Sequence, residues 1–214
     1  LYYLPRLEGT HFGTEVENTP FASLIMANTA THHLSANIFL TPEYVIEAGT
    51  IDPLDPATWP RNPATGKLLV DVLHDGTIRF LGDDNFLGNT IVLGGTPGDD
   101  RLQAGHADDD TVWGDAGNDT LDGGGGNDVL FGGPGDDHIS DIAGTDLIHG
   151  DAGDDTVFAG PGDDVVLGGD GHDLLDGGLG IDEIAGGPGN DLIFGGEDDD
   201  ELQGNEGDDW LEGG

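Results

Sequence analysis

Aspartate returns every nine residues through the second half of this 214-residue chain. The series runs Asp110, Asp119, Asp128, Asp137, Asp146, Asp155, Asp164, Asp173, Asp182, Asp191, Asp200 and Asp209, with Asp100 ahead of it and one residue out of phase. A row of carboxylates at one interval is a row of hard oxygen ligands. Each aspartate is the sixth residue of a nonapeptide of form G-G-x-G-x-D-x-U-x, where U is aliphatic, so glycine turns set backbone carbonyls beside it. Calcium suits such a donor set, because it takes six to eight oxygens at roughly 2.3–2.6 Å in flexible geometry. Magnesium demands a stricter octahedron, and zinc prefers sulfur or imidazole. The chain has no cysteine and no H-E-x-x-H pattern.

The elements that position these aspartates follow from the rest of the repeat. Its eighth residue is always aliphatic: Leu102, Val112, Leu121, Leu130, Ile139, Ile148, Val157, Val166, Leu175, Ile184, Ile193, Leu202 and Leu211. The last few residues of each copy are therefore expected to form a very short strand with that side chain inward, while the glycine-rich half turns and carries the carboxylate outward. Two copies make one coil, so copy n stacks on copy n+2, bringing Asp119 near Asp137 and Asp128 near Asp146. Like charges so placed repel unless a cation lies between them. Thirteen aspartates paired in this way give at most about eleven sandwiched sites. Weaker binding is expected where the pattern breaks: at Asp108 and Asp198, which replace the turn glycine of the fourth position, in the copy opening Asp141-Ile142-Ala143-Gly144-Thr145-Asp146, and at Ala104, which shifts the phase.

The formal charge is −39, from 44 acidic and five basic residues, and Arg101 is the single basic residue from Gly95 onward. Self-repulsion of that size is expected to keep metal-free repeats unfolded at low salt, making metal binding and folding one event. An acidic, glycine-rich disordered tail has a similar composition, but it has no reason to keep an aliphatic residue at every ninth place. Negative charge argues against nucleic acid, and Gly123-Gly124-Gly125-Gly126 lacks the Lys-Ser/Thr of a phosphate loop. A repeating array also makes a poor catalytic carboxylate pair, since every copy offers the same environment, and no catalytic residue is assigned. No apolar stretch is long enough to span a membrane, and the opening residues do not read as a signal peptide.

The periodic region resembles the RTX nonapeptide repeats of hemolysin-type calcium-binding proteins. That resemblance implies a parallel β-roll over residues 95–214, many bound calcium ions, and secretion from a Gram-negative bacterium, usually by a type I machinery. The chain opens at Leu1 and stops inside the period at Gly213 and Gly214, so it reads as a fragment of a longer protein.

Residues 1–94 lack the period. Short helices are expected over residues 7–17 and from Thr19, as N-cap before Pro20, through Phe21, Leu24 and Ile25. Residues 36–66 are rich in turn formers and read as a linker, with a short strand at residues 44–47. Residues 68–73 and 77–81 flank His74-Asp75-Gly76 as a β-hairpin, and residues 90–93 form the first rung. The expected fold is mainly β: the roll, preceded by a hairpin-bearing linker over residues 41–94 and a small helical or irregular segment over residues 1–40.

In that segment Tyr2-Tyr3-Leu4, then Glu15 to Asn18, then Phe21-Ala22-Ser23-Leu24-Ile25-Met26-Ala27-Asn28-Thr29, then Asn37-Ile38-Phe39 stand in an order that resembles the C-terminal end of bacterial animal-type haem peroxidase domains. The resemblance implies a secreted parent using haem and hydrogen peroxide, with the haem histidines upstream of Leu1 and no haem held by this chain. The eight histidines, His11, His32, His33, His74, His106, His138, His149 and His172, read as surface or loop residues, since haem ligation needs an apolar pocket and an oriented ring. The alternative parents are an RTX adhesin or matrix protein, with the roll as a calcium-rigidified spacer, and another secreted RTX enzyme such as a protease or lipase.

Overall fold

A computed structural model describes residues 44–47, 49, 51, 55–57, 59–61, 66–73, 76–81, 91–104 and 107–214. The helices expected over residues 7–17 and from Thr19, and His11, His32, His33, His74 and His106, lie outside them.

The described chain is a stack of parallel strands in two sheets. Four strands precede the repeats: β1 (Tyr44–Glu47), β2 (Val70–Val72), β3 (Ile78–Phe80) and β4 (Ile91–Gly94). The repeats supply β5 (Arg101–Gln103), β6 (Thr111–Trp113), β7 (Thr120–Asp122), β8 (Val129–Pro134), β9 (His138–Ser140) and β10 (Leu147–Ala152). They continue with β11 (Thr156–Pro161), β12 (Val165–Asp170), β13 (Leu174–Leu179), β14 (Glu183–Pro188), β15 (Leu192–Glu197), β16 (Glu201–Glu206) and β17 (Trp210–Glu212). Successive copies alternate between the sheets. One sheet has the order β1-β4-β6-β8-β10-β12-β14-β16 and the other β17-β15-β13-β11-β9-β7-β5-β3-β2, so two copies complete a turn.

Register follows from the eighth position. Val112 pairs with Leu130, Leu130 with Ile148, Ile148 with Val166, Val166 with Ile184 and Ile184 with Leu202 in the first sheet. Leu102, Leu121, Ile139, Val157, Leu175, Ile193 and Leu211 form the matching file in the second. A slip of one residue would turn each file out to solvent, so burial of these side chains locks the register. From Leu102 to Ile193 they are almost wholly buried and make the roll's continuous core.

Most strands are longer than the repeat alone suggests. From β10 to β16 they run six residues, crossing from the end of one copy into the first three residues of the next. The strand then turns on left-handed residues, two in most copies. The fourth position is left-handed at Gly117, Gly135, Gly153 and Gly171, and the second at Gly133, Gly169, Asp115 (φ 80°), Asp151 (φ 78°) and Asn205 (φ 74°). Glycine, asparagine and aspartate tolerate that conformation best, which explains their hold on both positions. Asp198 keeps the turn at φ 87° despite its side chain.

The region read as a linker supplies strands to the roll. β1 pairs in parallel with β4, and β2 and β3 form the expected antiparallel hairpin, whose second strand pairs with β5. Ile51, Leu69, Val70 and Ile78 join the core at that end, with Trp59 packed against it. The phase shift at Ala104 is absorbed locally. Ala104 is buried and donates to Asp122 O, while β5 keeps register with β7 nineteen residues on.

Candidate metal centre

The sixth-position aspartates converge as the stacking argument requires. Each backbone N–H of one donates to Oδ1 of the aspartate two copies on, from Asp100 to Asp119 and Asp110 to Asp128 through to Asp191 and Asp209, in eleven bonds of 2.7–3.0 Å. The carboxylates do not point outward, as expected from the repeat alone. From Asp110 to Asp191 they are buried, because this bond draws each side chain back between the rungs.

That geometry leaves one oxygen of most of these carboxylates facing a gap. Oδ2 of Asp119, Asp128, Asp137, Asp146, Asp155, Asp164, Asp173, Asp182, Asp191 and Asp200 is buried without a hydrogen-bond partner. A buried carboxylate oxygen left unpaired is costly, so a row of ten indicates a missing partner class. The gap has further oxygen beside it. A Cβ on Gly114 would press against Asp119 Oδ2 and lie 2.5 Å from the carbonyl oxygen of Gly132. Gly132, Gly150, Gly168 and Gly177 repeat that arrangement with Asp137, Asp155, Asp173 and Asp182. At these five positions glycine leaves room for the carboxylate oxygen of its own copy and the carbonyl oxygen of the neighbouring rung. A compact set of hard oxygens, part anionic and part neutral, is what a calcium ion accepts.

Burial also disfavours charge. Desolvation first, and neighbouring carboxylates second, push Asp119, Asp146 and Asp164 up to about 7, Asp155 to about 8, and Asp137 and Asp173 to about 6, although the bond from the preceding rung's N–H works against it. Asp182 and Asp191, nearer the C-terminal end, are raised by the same causes. Asp128 is raised too, by burial and then by the closeness of Asp141 and Asp110. Protons or cations must offset this charge when the rungs close.

The ends of the series differ. Oδ2 of Asp100 accepts from the N–H and hydroxyl of Thr96 rather than facing an open gap. Oδ1 of Asp110 accepts from Ile91 N, which ties β4 into the ladder. Asp209 stands on the last described coil, where Oδ1 accepts from Asp191 N.

Residues 105–139, 142–175 and 176–211 match the family described as RTX calcium-binding nonapeptide repeat (4 copies). These are RTX calcium-binding nonapeptide repeats. No curated protein aligns with the chain. The RTX repeats here carry a second ladder that the spacing of the sixth position does not reveal. Fifth-position side chains accept from the N–H two copies on: Asp99 from Asn118, Asn118 from Asp136, Asp136 from Asp154, Asp154 from His172, and His172 Nδ1 from Asn190. The signal was the run of short polar residues at that position. Asp141 also lies beside the sixth-position row: its carboxylate comes within 4.8 Å of those of Asp128 and Asp146.

The described histidines hold structural contacts on separate faces. The ring of His138 meets Phe158 edge-on at 5.7 Å, and that of His149 stacks on Phe131 at 4.9 Å, itself stacked on Trp113 at 5.3 Å. His149 is buried on β10 rather than at the surface, and His138 is exposed on β9. No helix among the described residues is long and apolar enough to cross a membrane.

Proposed function

We propose that this RTX roll takes calcium between alternate rungs, with the sixth-position aspartates from Asp100 to Asp209 as its carboxylate ligands, and that ion binding drives its folding. The observation carrying this reading is the row of ten buried Oδ2 atoms without partners. When bound, calcium would supply the positive charge that lets adjacent carboxylates stay ionised. The chain supplies the rest: the register that aligns the carboxylates, the first-position glycines that admit the oxygens, and left-handed turns that close most rungs. Imperfect turns at Asp108 and Asp198 are proposed to bind more weakly.

The wider setting is a secreted bacterial haem peroxidase, exported by a type I machinery, in which the roll assists export and stability while chemistry occurs upstream. Its support is the order of Tyr2-Tyr3-Leu4, Phe21 to Thr29 and Asn37-Ile38-Phe39, together with a roll whose sites need an extracellular calcium supply.

Calcium titration of the chelator-treated chain at neutral pH, followed by circular dichroism, tests the first part. A coil-like spectrum that gains β signal at millimolar calcium or below supports it. An unchanged spectrum overturns it. Haem absorption and peroxide-dependent oxidation by the full-length gene product test the second, and a product without either would favour the adhesin or spacer reading.

A further inference from the structure

We propose that Asp141 completes, with Asp128 and Asp146, a three-carboxylate site for a divalent hard cation, and that this is the tightest calcium site of the roll. The inference rests on the reading of the repeats as calcium sites, and it reverses the expectation that the irregular copy at residues 141–149 binds weakly.

The sequence produces the site by breaking the repeat. The first position of a copy is glycine at Gly114, Gly132 and Gly150, and the second is left-handed at Asp115, Gly133 and Asp151. At residues 141 and 142 these become aspartate and isoleucine. A β-branched residue resists the left-handed region, and Ile142 is not in it. The strand stops at Ser140, as β7 stops at Asp122, whereas β11, β13 and β15 in the same sheet continue for six residues. The matched family segments pause at the same place, between residues 139 and 142.

The altered backbone redirects a side chain into the gap. Oδ1 of Asp141 accepts from Ala143 N at 3.0 Å, and this short turn holds the carboxylate in one orientation. Its Oδ2 is buried beside the carboxyl of Asp128, and no donor from another residue reaches it or Oδ2 of Asp128 and Asp146. Asp128 and Asp146 are 1% and 2% exposed. A Cβ on Gly123 would lie 2.8 Å from Asp128 Oδ2 and press against Asp141 Oδ2, so both oxygens occupy one space above Gly123. Here a first-position carboxylate joins two from the sixth position. Affinity for calcium rises with the charge count of the ligands, and among the described residues no other three carboxylates lie within 4.8 Å of one another.

Calcium binding to the whole chain at pH 7.4, measured by equilibrium dialysis and by competition with a chromophoric chelator, tests the assignment. Asp141→Asn keeps the shape of the side chain and removes its charge, and Asp141→Gly restores the repeat's own residue should the asparagine variant fold poorly. The tightest class is expected to weaken about tenfold or more in both, with the calcium-saturated spectrum retained. Asp155→Asn should reduce the number of bound ions and leave the tightest class in place. A tightest constant within twofold of wild type in both Asp141 variants overturns the proposal. One additional ion bound by Asp141→Gly also overturns it, because Asp141 would then be a plug, sharing a proton with Asp128. Absence of calcium binding by the wild-type chain overturns the repeat reading as well, so the two failures are distinguishable.

Discussion

Removing calcium and varying pH should expose the charge problem at the centre of this fold. In the metal-free roll, burial raises Asp137 to about 6 and Asp119, Asp146 and Asp164 to about 7, from an ordinary 3.8. A group raised on folding contributes stability that is complete below its unfolded value and disappears as pH climbs through the folded one. Ionising one such carboxyl within the fold costs about 1–3 kcal/mol once solvent screening is allowed for. Several together rival the roughly 5–15 kcal/mol that holds a whole domain. The chelated chain is therefore expected to keep β signal near pH 5 and lose it as pH rises through 6 to 8. Circular dichroism in excess chelator reads this directly, starting above the pI of about 4.1 to avoid precipitation. With calcium the trend inverts, because ligation requires ionised carboxylates and protons compete with the ion. Chelated protein that is as well folded at pH 8 as at pH 5, or better, would refute the reasoning.

Two further perturbations test how the sites are built. Asp155→Ala removes the acceptor of the 2.8 Å bond from Asp137 N, a charge-assisted bond worth about 1.5–3 kcal/mol. It should release ions only beside that rung, with amide exchange faster there and unchanged several rungs away, since solenoid stability is a sum of neighbour terms. Gly132→Ala places a methyl against Asp137 Oδ2 and 2.7 Å from the Gly150 carbonyl oxygen, and should raise the calcium midpoint and cost about 1–3 kcal/mol. Gly213→Ala meets nothing within 4 Å and should match wild type in the same titration.

Much of this is legible in the sequence. The period predicted both files of aliphatic side chains, the alternation of copies between sheets, and the approach of Asp119 to Asp137, because all three follow from one interval. Burial of the carboxylates was not legible. It arises from hydrogen bonds between aspartates eighteen residues apart, which a single copy does not contain. The left-handed second position has its own signal in its glycine, aspartate and asparagine content, weaker than the near-invariant glycine of the fourth. Pairing of β1 with β4 is a long-range contact with no local signature, so residues 44–47 read as a strand inside a linker. Asp141 looked like a defect for a related reason: one copy records that glycine is missing, and only the stacked rungs record where the carboxylate goes.

The central claim is that cations lie between carboxylates of alternate rungs, and a crystal structure of the calcium-loaded chain with anomalous scattering tests it most directly. The account predicts anomalous peaks in the gaps faced by Oδ2 of Asp119, Asp137 and Asp155, about 2.3–2.6 Å from carboxylate and carbonyl oxygens. Gaps holding only water, or carboxylates splayed away from one another in that crystal, would contradict it.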